Sequence, residues 1–261
     1  MAKKKKELLV DLEKESKDFI KDQEDIYISK DGFEKVPLIR GVCEIAPILE
    51  DLKKHSETFV CGGYVRYCAS PKRNPVIGRD VDLYSMNEEA FDKIKKFYDD
   101  QLTIQHENDI SVTYKKPEWD SDSKYLYVPT IQLIKPVKEG KVVGFGTMEE
   151  VIENFDFTVV RIALLDEKTA LADADFLHDE RHGLLRLKNI HCPISSTLRC
   201  MKYAKKGYWL KPLETFKLFL DWDQKSDEYK SKLQDWLNKA NAGKGLTQNE
   251  VNELERMMMV D

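Results

Sequence analysis

Phe59-Val60-Cys61-Gly62-Gly63-Tyr64-Val65-Arg66, followed closely by Gly78-Arg79-Asp80-Val81-Asp82-Leu83, constrains the local fold more than any other stretch of the chain. An apolar run of strand length leads into a glycine pair, then a helix, then a second strand. Side chains alternate along a strand, so Asp80 and Asp82 share one face while Val81 and Leu83 turn toward the core. Two carboxylates crowded on one patch repel unless a cation lies between them. Oxygen ligands suit Mg²⁺ or Mn²⁺, with substrate phosphates completing the shell. Gly62 and Gly63 lack a Cβ, so backbone N–H groups can close on a phosphate, and the N-terminus of the next helix favours negative charge. The chemistry indicated is phosphoryl or nucleotidyl transfer. A lone glycine pair is commonly a tight turn and a lone Asp-x-Asp a solvated strand edge. Their order on one strand-turn-helix-strand unit is what sharpens the reading.

With 261 residues, 41% of them hydrophobic and 34% charged, the chain has the profile of a soluble globular protein of one large or two small domains. Its net charge of −5 exerts no general pull on nucleic acid, so an RNA site must be a local basic patch. Cys43, Cys61, Cys68, Cys192 and Cys200 form an odd, irregularly spaced set, read as reduced thiols of a cytoplasmic protein. No apolar run approaches the roughly 18 residues of a membrane helix. Lys3 to Lys6 are not followed by the apolar core of a signal peptide, and read as a solvated tail or an accessory RNA contact.

Periodicity predicts helices over Glu7–Lys21, Val42–His55 and Asn87–Asp99, and short strands at Ile26–Ser29, Ile110–Tyr114, Tyr125–Val128 and Ile131–Ile134. Lys115–Lys124 reads as an exposed loop. Thr147 with Glu150 makes a capping box that starts a helix at Met148, and Phe157–Leu165 reads as a buried element. From Pro193 the pattern turns helical: Ser195–Lys206, Leu213–Trp222, Ser226–Ala240 and Leu246–Met258. The expected fold class is α/β in the α+β sense, a small mixed sheet flanked by helices and followed by a helical neck. The expected domains are 1–57, an N-terminal helical segment packing on the head; 58–190, the head; and 191–261, the neck.

These motifs resemble the nucleotidyltransferases of the DNA polymerase β superfamily, in particular the head and neck of bacterial poly(A) polymerases and CCA-adding enzymes. Gly144-Phe145-Gly146-Thr147-Met148-Glu149-Glu150 leading to Asp156-Phe157-Thr158 is similar to the segment that ends in Arg-Arg-Asp-Phe-Thr in that family. Gly183-Leu184-Leu185-Arg186-Leu187 and Leu198-Arg199-Cys200-Met201-Lys202-Tyr203-Ala204 look like the start of its neck. The resemblance runs from about Thr58 to about Gly207. It implies template-independent transfer of a nucleoside monophosphate from a nucleoside triphosphate, ATP first among them, to an RNA 3′ end, as in tRNA processing. Asp80 and Asp82 would hold Mg²⁺ or Mn²⁺ and be catalytic. Gly62, Gly63, Arg66 and Asp156 would bind nucleotide; the alternative for Arg66 is a surface salt bridge, and for Asp156 a capping or core-polar role. Arg199, Lys202 and Lys205, on one helix face with Lys206 and near Tyr203, Tyr208 and Trp209, would meet RNA, the alternative being a solvated helix face with its aromatics in the core.

The departures are specific. Gln132 stands where the family commonly has a third acidic residue, and an amide offers only a neutral carbonyl oxygen. Asn154-Phe155 replaces the arginine pair. Pro193 and Ser196 stand in for the Asp and Arg that read the incoming base. Tyr67 follows the helix arginine where an aspartate is usual. The alternatives are therefore nucleotidylation of a protein or small molecule, or an inactive nucleotide- or RNA-binding relative. His178 and His182 have the i, i+4 spacing that metal sites use, but a third ligand is missing and zinc is not expected.

Overall fold

The computed structural model describes residues 31–72, 80–108, 110–115, 123–125, 128–135, 145–190, 192–247 and 249–250. The tail at Lys3–Lys6, the helix expected over Glu7–Lys21, the strand at Ile26–Ser29, Gly78-Arg79 and most of the Leu246–Met258 helix lie outside the described residues. Chain contacts separate Met1–Asp31 from Gly32–Asp261, and the account below concerns the second unit.

Eight strands form one mixed sheet in the order β1-β8-β7-β2-β3-β6-β5-β4. Its members are β1 (Phe33–Pro37), β2 (Thr58–Cys61), β3 (Asp80–Ser85), β4 (Thr103–Glu107), β5 (Ser111–Lys115), β6 (Thr130–Ile134), β7 (Ile162–Leu164) and β8 (Thr169–Asp173). The β3–β6 pair is parallel and the other pairs are antiparallel. The mixed α+β class is as expected from sequence, and the sheet is larger than the small one anticipated. Strand β1, in a stretch read without any strand, pairs with β8 from Phe33↔Asp173 to Pro37↔Thr169. Tyr125 lies in a turn rather than a strand, with the Val128 N–H donating to its carbonyl at 3.1 Å. Its hydroxyl donates to the buried Asp51 at 2.7 Å, which ties the turn to helix α1 (Ala46–Lys54).

Alternation along β2 and β3 divides the core between the two sheet faces. Val60, Val81 and Leu83 pack with α1, α2 (Gly63–Ala69) and α3 (Glu88–Asp99) in one cluster. Phe59, Cys61 and Tyr84 pack on the opposite face against Val151 and Ile152 of α4 (Met148–Glu153). Asn87 caps α3 by accepting the Ala90 N–H at 2.9 Å, and the Thr147–Glu150 capping box starts α4.

Helix α5 (Phe176–His182) ends on Gly183 at φ +66, a left-handed cap that suits glycine. Beyond it come β9 (Leu184–Leu185), α6 (Pro193–Ala204), β10 (Trp209–Leu210), α7 (Pro212–Gln224) and α8 (Asp227–Asn241). β9 and β10 pair in parallel. Phe157, Val159, Leu185, Leu187, Tyr203, Tyr208 and Leu218 form a separate apolar cluster that joins head and neck. No described helix is long and apolar enough to cross a membrane.

Candidate functional site

Strand β2 ends at Cys61, which pairs with Asp82 of β3, and Asp82 in turn pairs with Gln132 of β6. Side chains in register on neighbouring strands share a face, so Asp82, Gln132 and, two residues back, Asp80 line the face that carries α4. At Gly62 the chain turns with φ +76, a conformation that L side chains rarely adopt. Its N–H donates to the Ile162 carbonyl at 2.8 Å, and its carbonyl accepts the Arg66 N–H at 2.9 Å. A Cβ placed on Gly62 would sit 3.7 Å from Asp82 Oδ2 and 3.7 Å from the Phe155 ring. The glycine elbow and the Asp82 carboxylate are thus neighbours, with a half-buried aromatic edge between Gly62 and α4. Phe155 packs on the buried Tyr84 ring, 5.5 Å between centroids.

Asp80 is exposed and Asp82 half-buried, and neither carboxylate takes a hydrogen bond or ion pair among the described residues. Burial pushes the Asp82 carboxyl up to about 7, the Asp80 charge adds to this, and Lys202 offsets part of it. Burial and then the Asp82 charge also push up the Cys61 thiol beside it. Such a pair is a site of stored repulsion that a cation would relieve.

Lys202 comes from the neck helix α6, so that helix faces the carboxylates. Lys202 and Lys205 are exposed. Lys206 is half-buried with Nζ 5.2 Å from the Tyr203 ring centroid, and burial, then the Arg66 and Lys202 charges, pull its amine down to about 8. Arg199 has a different occupation. Its Nη2 pairs with Asp156 Oδ2 at 2.5 Å, its Nε donates to the same oxygen at 3.1 Å, and its guanidinium lies over the Phe157 ring. Ser196 Oγ donates to that oxygen too, at 3.0 Å. Burial raises the Asp156 carboxyl, while Arg199, Ser196 and the Phe157 N–H pull it back down. The residue expected at the nucleotide and the one expected at RNA are therefore partners of each other.

Arg66 is also engaged elsewhere. It is buried, and its Nη1 donates to Tyr208 Oη at 2.6 Å and to Glu180 Oε1 at 3.4 Å. Tyr208 and Ser70 both donate to Glu180, at 2.6 and 2.5 Å. One turn into α2, the guanidinium points toward α5 and the neck, not into the space beside Asp82. Sequence reasoning missed this Arg66–Glu180–Tyr208 cluster. Its one local signal is that Tyr64, Val65, Cys68 and Ala69 leave α2 little polar surface on which an arginine could be solvated.

The donor set fits a divalent cation: two carboxylates that take no hydrogen bond or ion pair among the described residues, and a glutamine in register beside them. Gln132 Nε2 donates to Ser111 Oγ at 2.9 Å, which leaves its carbonyl oxygen as the donor on offer. Among the described residues there is no group of three or more His, Cys, Asp or Glu side chains that could hold a metal. The His178 and His182 rings lie 4.7 Å apart, but His178 Nδ1 pairs with Asp179 at 2.9 Å. A cleft of about 610 Å³ lies at the far end of β2, lined by Leu49, Leu52, Thr58, Met148 and Leu164 among others, and the carboxylates are not part of it.

Residues 12–182 match the model of the Gabija anti-defense 2 family. No curated protein matches the sequence. Solved structures with a similar chain path include a tRNA nucleotidyltransferase complexed with a primer tRNA and an incoming ATP analogue. It shares 17% identity at a TM-score of 0.44, over 65% of this chain and 48% of that one. The Bacillus stearothermophilus CCA-adding enzyme in complex with CTP shares 20% identity at a TM-score of 0.44, over 67% of this chain and 42% of that one. The Thermotoga maritima CCA-adding enzyme complexed with tRNA shares 16% at a TM-score of 0.41, over 69% and 44%. This chain thus spans less than half the length of each, and likeness at this level carries nothing about activity.

Proposed function

The chain belongs to the Gabija anti-defense 2 family, and we propose that it is a metal-dependent nucleotidyltransferase that moves a nucleoside monophosphate from a nucleoside triphosphate, ATP first, to an acceptor hydroxyl. The observation that carries this reading is the pair of carboxylates on one strand face, neither taking a hydrogen bond or ion pair among the described residues, with Asp82 Oδ2 beside the Gly62 elbow.

Asp80 and Asp82 would hold Mg²⁺ or Mn²⁺, with the Gln132 carbonyl oxygen as a neutral third donor. A cation there would neutralise charge on the triphosphate and lower the pKa of the attacking hydroxyl. Gly62 lets the backbone approach phosphate oxygens without a side chain in the way, and the α2 N-terminus at Gly63 offers N–H groups to them. Lys202 stands across from the carboxylates and would balance phosphate charge. Lys205, exposed at the C-cap of the same helix, would meet the acceptor backbone. Asp156 and Arg199 act on each other and would fix α6 against the head, so their part is to position Lys202. Arg66 would act likewise on α2 through Glu180.

An RNA 3′ end in the cytoplasm is the first acceptor, supported by the exposed Lys202, whose charge reaches Asp82, and by the exposed Lys205 three residues on. A second reading is transfer to a protein of the defence that the family name opposes. The family description and the engagement of Arg199 by Asp156 favour it. The test is incubation with labelled nucleoside triphosphates and Mg²⁺ or Mn²⁺ in the presence of RNA, of protein, or of neither. Labelling of one acceptor, lost in Asp80→Ala and in Asp82→Ala, is the expected result. Nucleotide binding without labelling of anything would overturn the enzyme in favour of a binder.

A further inference from the structure

Helix α7 presents an apolar face to solvent. Leu213, Phe216, Phe219 and Leu220 are 62–68% exposed, and at 100° per residue they fall within one stripe together with Pro212 and Asp223. The opposite side of the same helix carries the buried Glu214 and Leu218, which hold it to the neck: Glu214 accepts the Leu187 N–H at 2.7 Å. The helix is thus firmly seated, and its outer side is open.

Two charges frame the stripe. Lys211, the half-buried N-cap residue of α7, precedes it, and the exposed Asp223 lies at its C-terminal end, about 18 Å away at 1.5 Å per residue. Neither side chain forms an ion pair among the described residues, and Lys230 bonds only the Asp223 carbonyl oxygen, at 2.7 Å. By contrast Asp221, off the stripe, pairs with Lys225 at 3.2 Å, and Lys217 with Glu214 at 2.9 Å. A surface with an apolar middle, a cation at one end and an anion at the other is complementary to itself when turned end for end.

We propose that this face of α7 is a two-fold interface with a second copy of the chain, the two α7 helices running antiparallel. Phe216 of one copy stacks against Phe219 of the other across the axis, and Asp223 of each meets Lys211 and the positive N-terminal end of the facing helix. At the scale of 150–250 Å² per aromatic side chain, the four large residues supply about 500 Å² per copy, well over half of the roughly 800 Å² per partner of a stable interface. The remainder comes from the polar rim, as in other self-paired surfaces.

Sedimentation equilibrium of the full chain should give twice the chain mass at micromolar concentration. Phe216→Asp with Phe219→Asp, both in exposed positions, should give a monomer with an unchanged circular dichroism spectrum. Lys211→Glu alone and Asp223→Lys alone should each weaken association by at least 10-fold, and the two together should restore it to within about 3-fold of the original. A monomeric parent overturns the proposal, and slow hydrogen exchange along Leu213–Leu220 in that monomer would assign the face to another segment of the same chain. A dimer that survives the double Phe substitution places the interface elsewhere, and failure of the charge swap to rescue removes the antiparallel pairing.

Discussion

Replacing Asp82 by Asn should stabilise the protein while abolishing its proposed chemistry. The Asp82 carboxyl is pushed from 3.8 to about 7, so the folded chain prefers it protonated. A folded pKa above the unfolded one contributes stability that is complete below about pH 4 and is lost as pH rises through about 7. A gap of about 3 units is worth about 4 kcal/mol at full burial. Asp82 is only half-buried, and screening by solvent reduces this to about 2 kcal/mol. In the absence of divalent cations, Asp82→Asn should therefore be more stable than the parent by about 2 kcal/mol at about pH 8, a rise in Tm of roughly 4–8 °C. At about pH 4 less than half of the gap should remain. Millimolar Mg²⁺ should then raise the parent's Tm and leave the variant's unchanged, because only the parent gains a ligand that binds the folded state. Thermal melts by circular dichroism at the two pH values, with and without Mg²⁺, measure all three effects. An Asn variant no more stable than the parent at pH 8, or a gap that does not change with pH, would refute the account of Asp82 as a strained, cation-seeking carboxylate.

Glu180→Gln leaves Arg66 as a buried cation without its anion, and should cost about 3–5 kcal/mol, seen as a lower urea midpoint at unchanged slope. Arg199→Ala strips Asp156 of its charged partner and should cost about 2–4 kcal/mol, so any loss of RNA binding in that variant would be uninformative. Lys202→Ala with Lys205→Ala should instead leave stability within about 0.5 kcal/mol and reduce the slope of log K against log salt for single-stranded RNA by about 1.4; an unchanged slope removes α6 from the acceptor path. Gly62→Ala meets only ordinary contacts at 3.7 Å, so its cost of about 1–3 kcal/mol comes from the backbone at φ +76, and unaltered stability would show that the elbow carries no strain.

The strand-turn-helix-strand unit was legible because every signal in it is local: an apolar run, a glycine that takes a positive φ, and alternation that sends Asp80 and Asp82 to one side. The Thr147–Glu150 box was legible for the same reason. Strand β1 was not, because Phe33-Glu34-Lys35-Val36-Pro37 mixes charge and proline, and its partner β8 lies more than 130 residues on. Strand β8 itself is Thr169-Ala170-Leu171-Ala172-Asp173, and alanine has little intrinsic preference for a sheet. Strand β4, wholly exposed, lacks an apolar side to announce it. At the site, spacing located Arg66 one turn past the glycines but could not say which way the guanidinium points. The pairing of Asp156 with Arg199 spans 43 residues and depends on how the neck docks.

The seam between β1 and β8 sets where the folding unit begins. A chain trimmed to start at Thr58, where the resemblance to nucleotidyltransferase heads starts, would lose Phe33–Pro37 and bare a row of β8 peptide groups along the border of the sheet. Such a row recruits strands from other molecules. A fragment that keeps this seam must therefore open before Phe33, since the stretch ahead of Thr58 supplies a strand to the sheet.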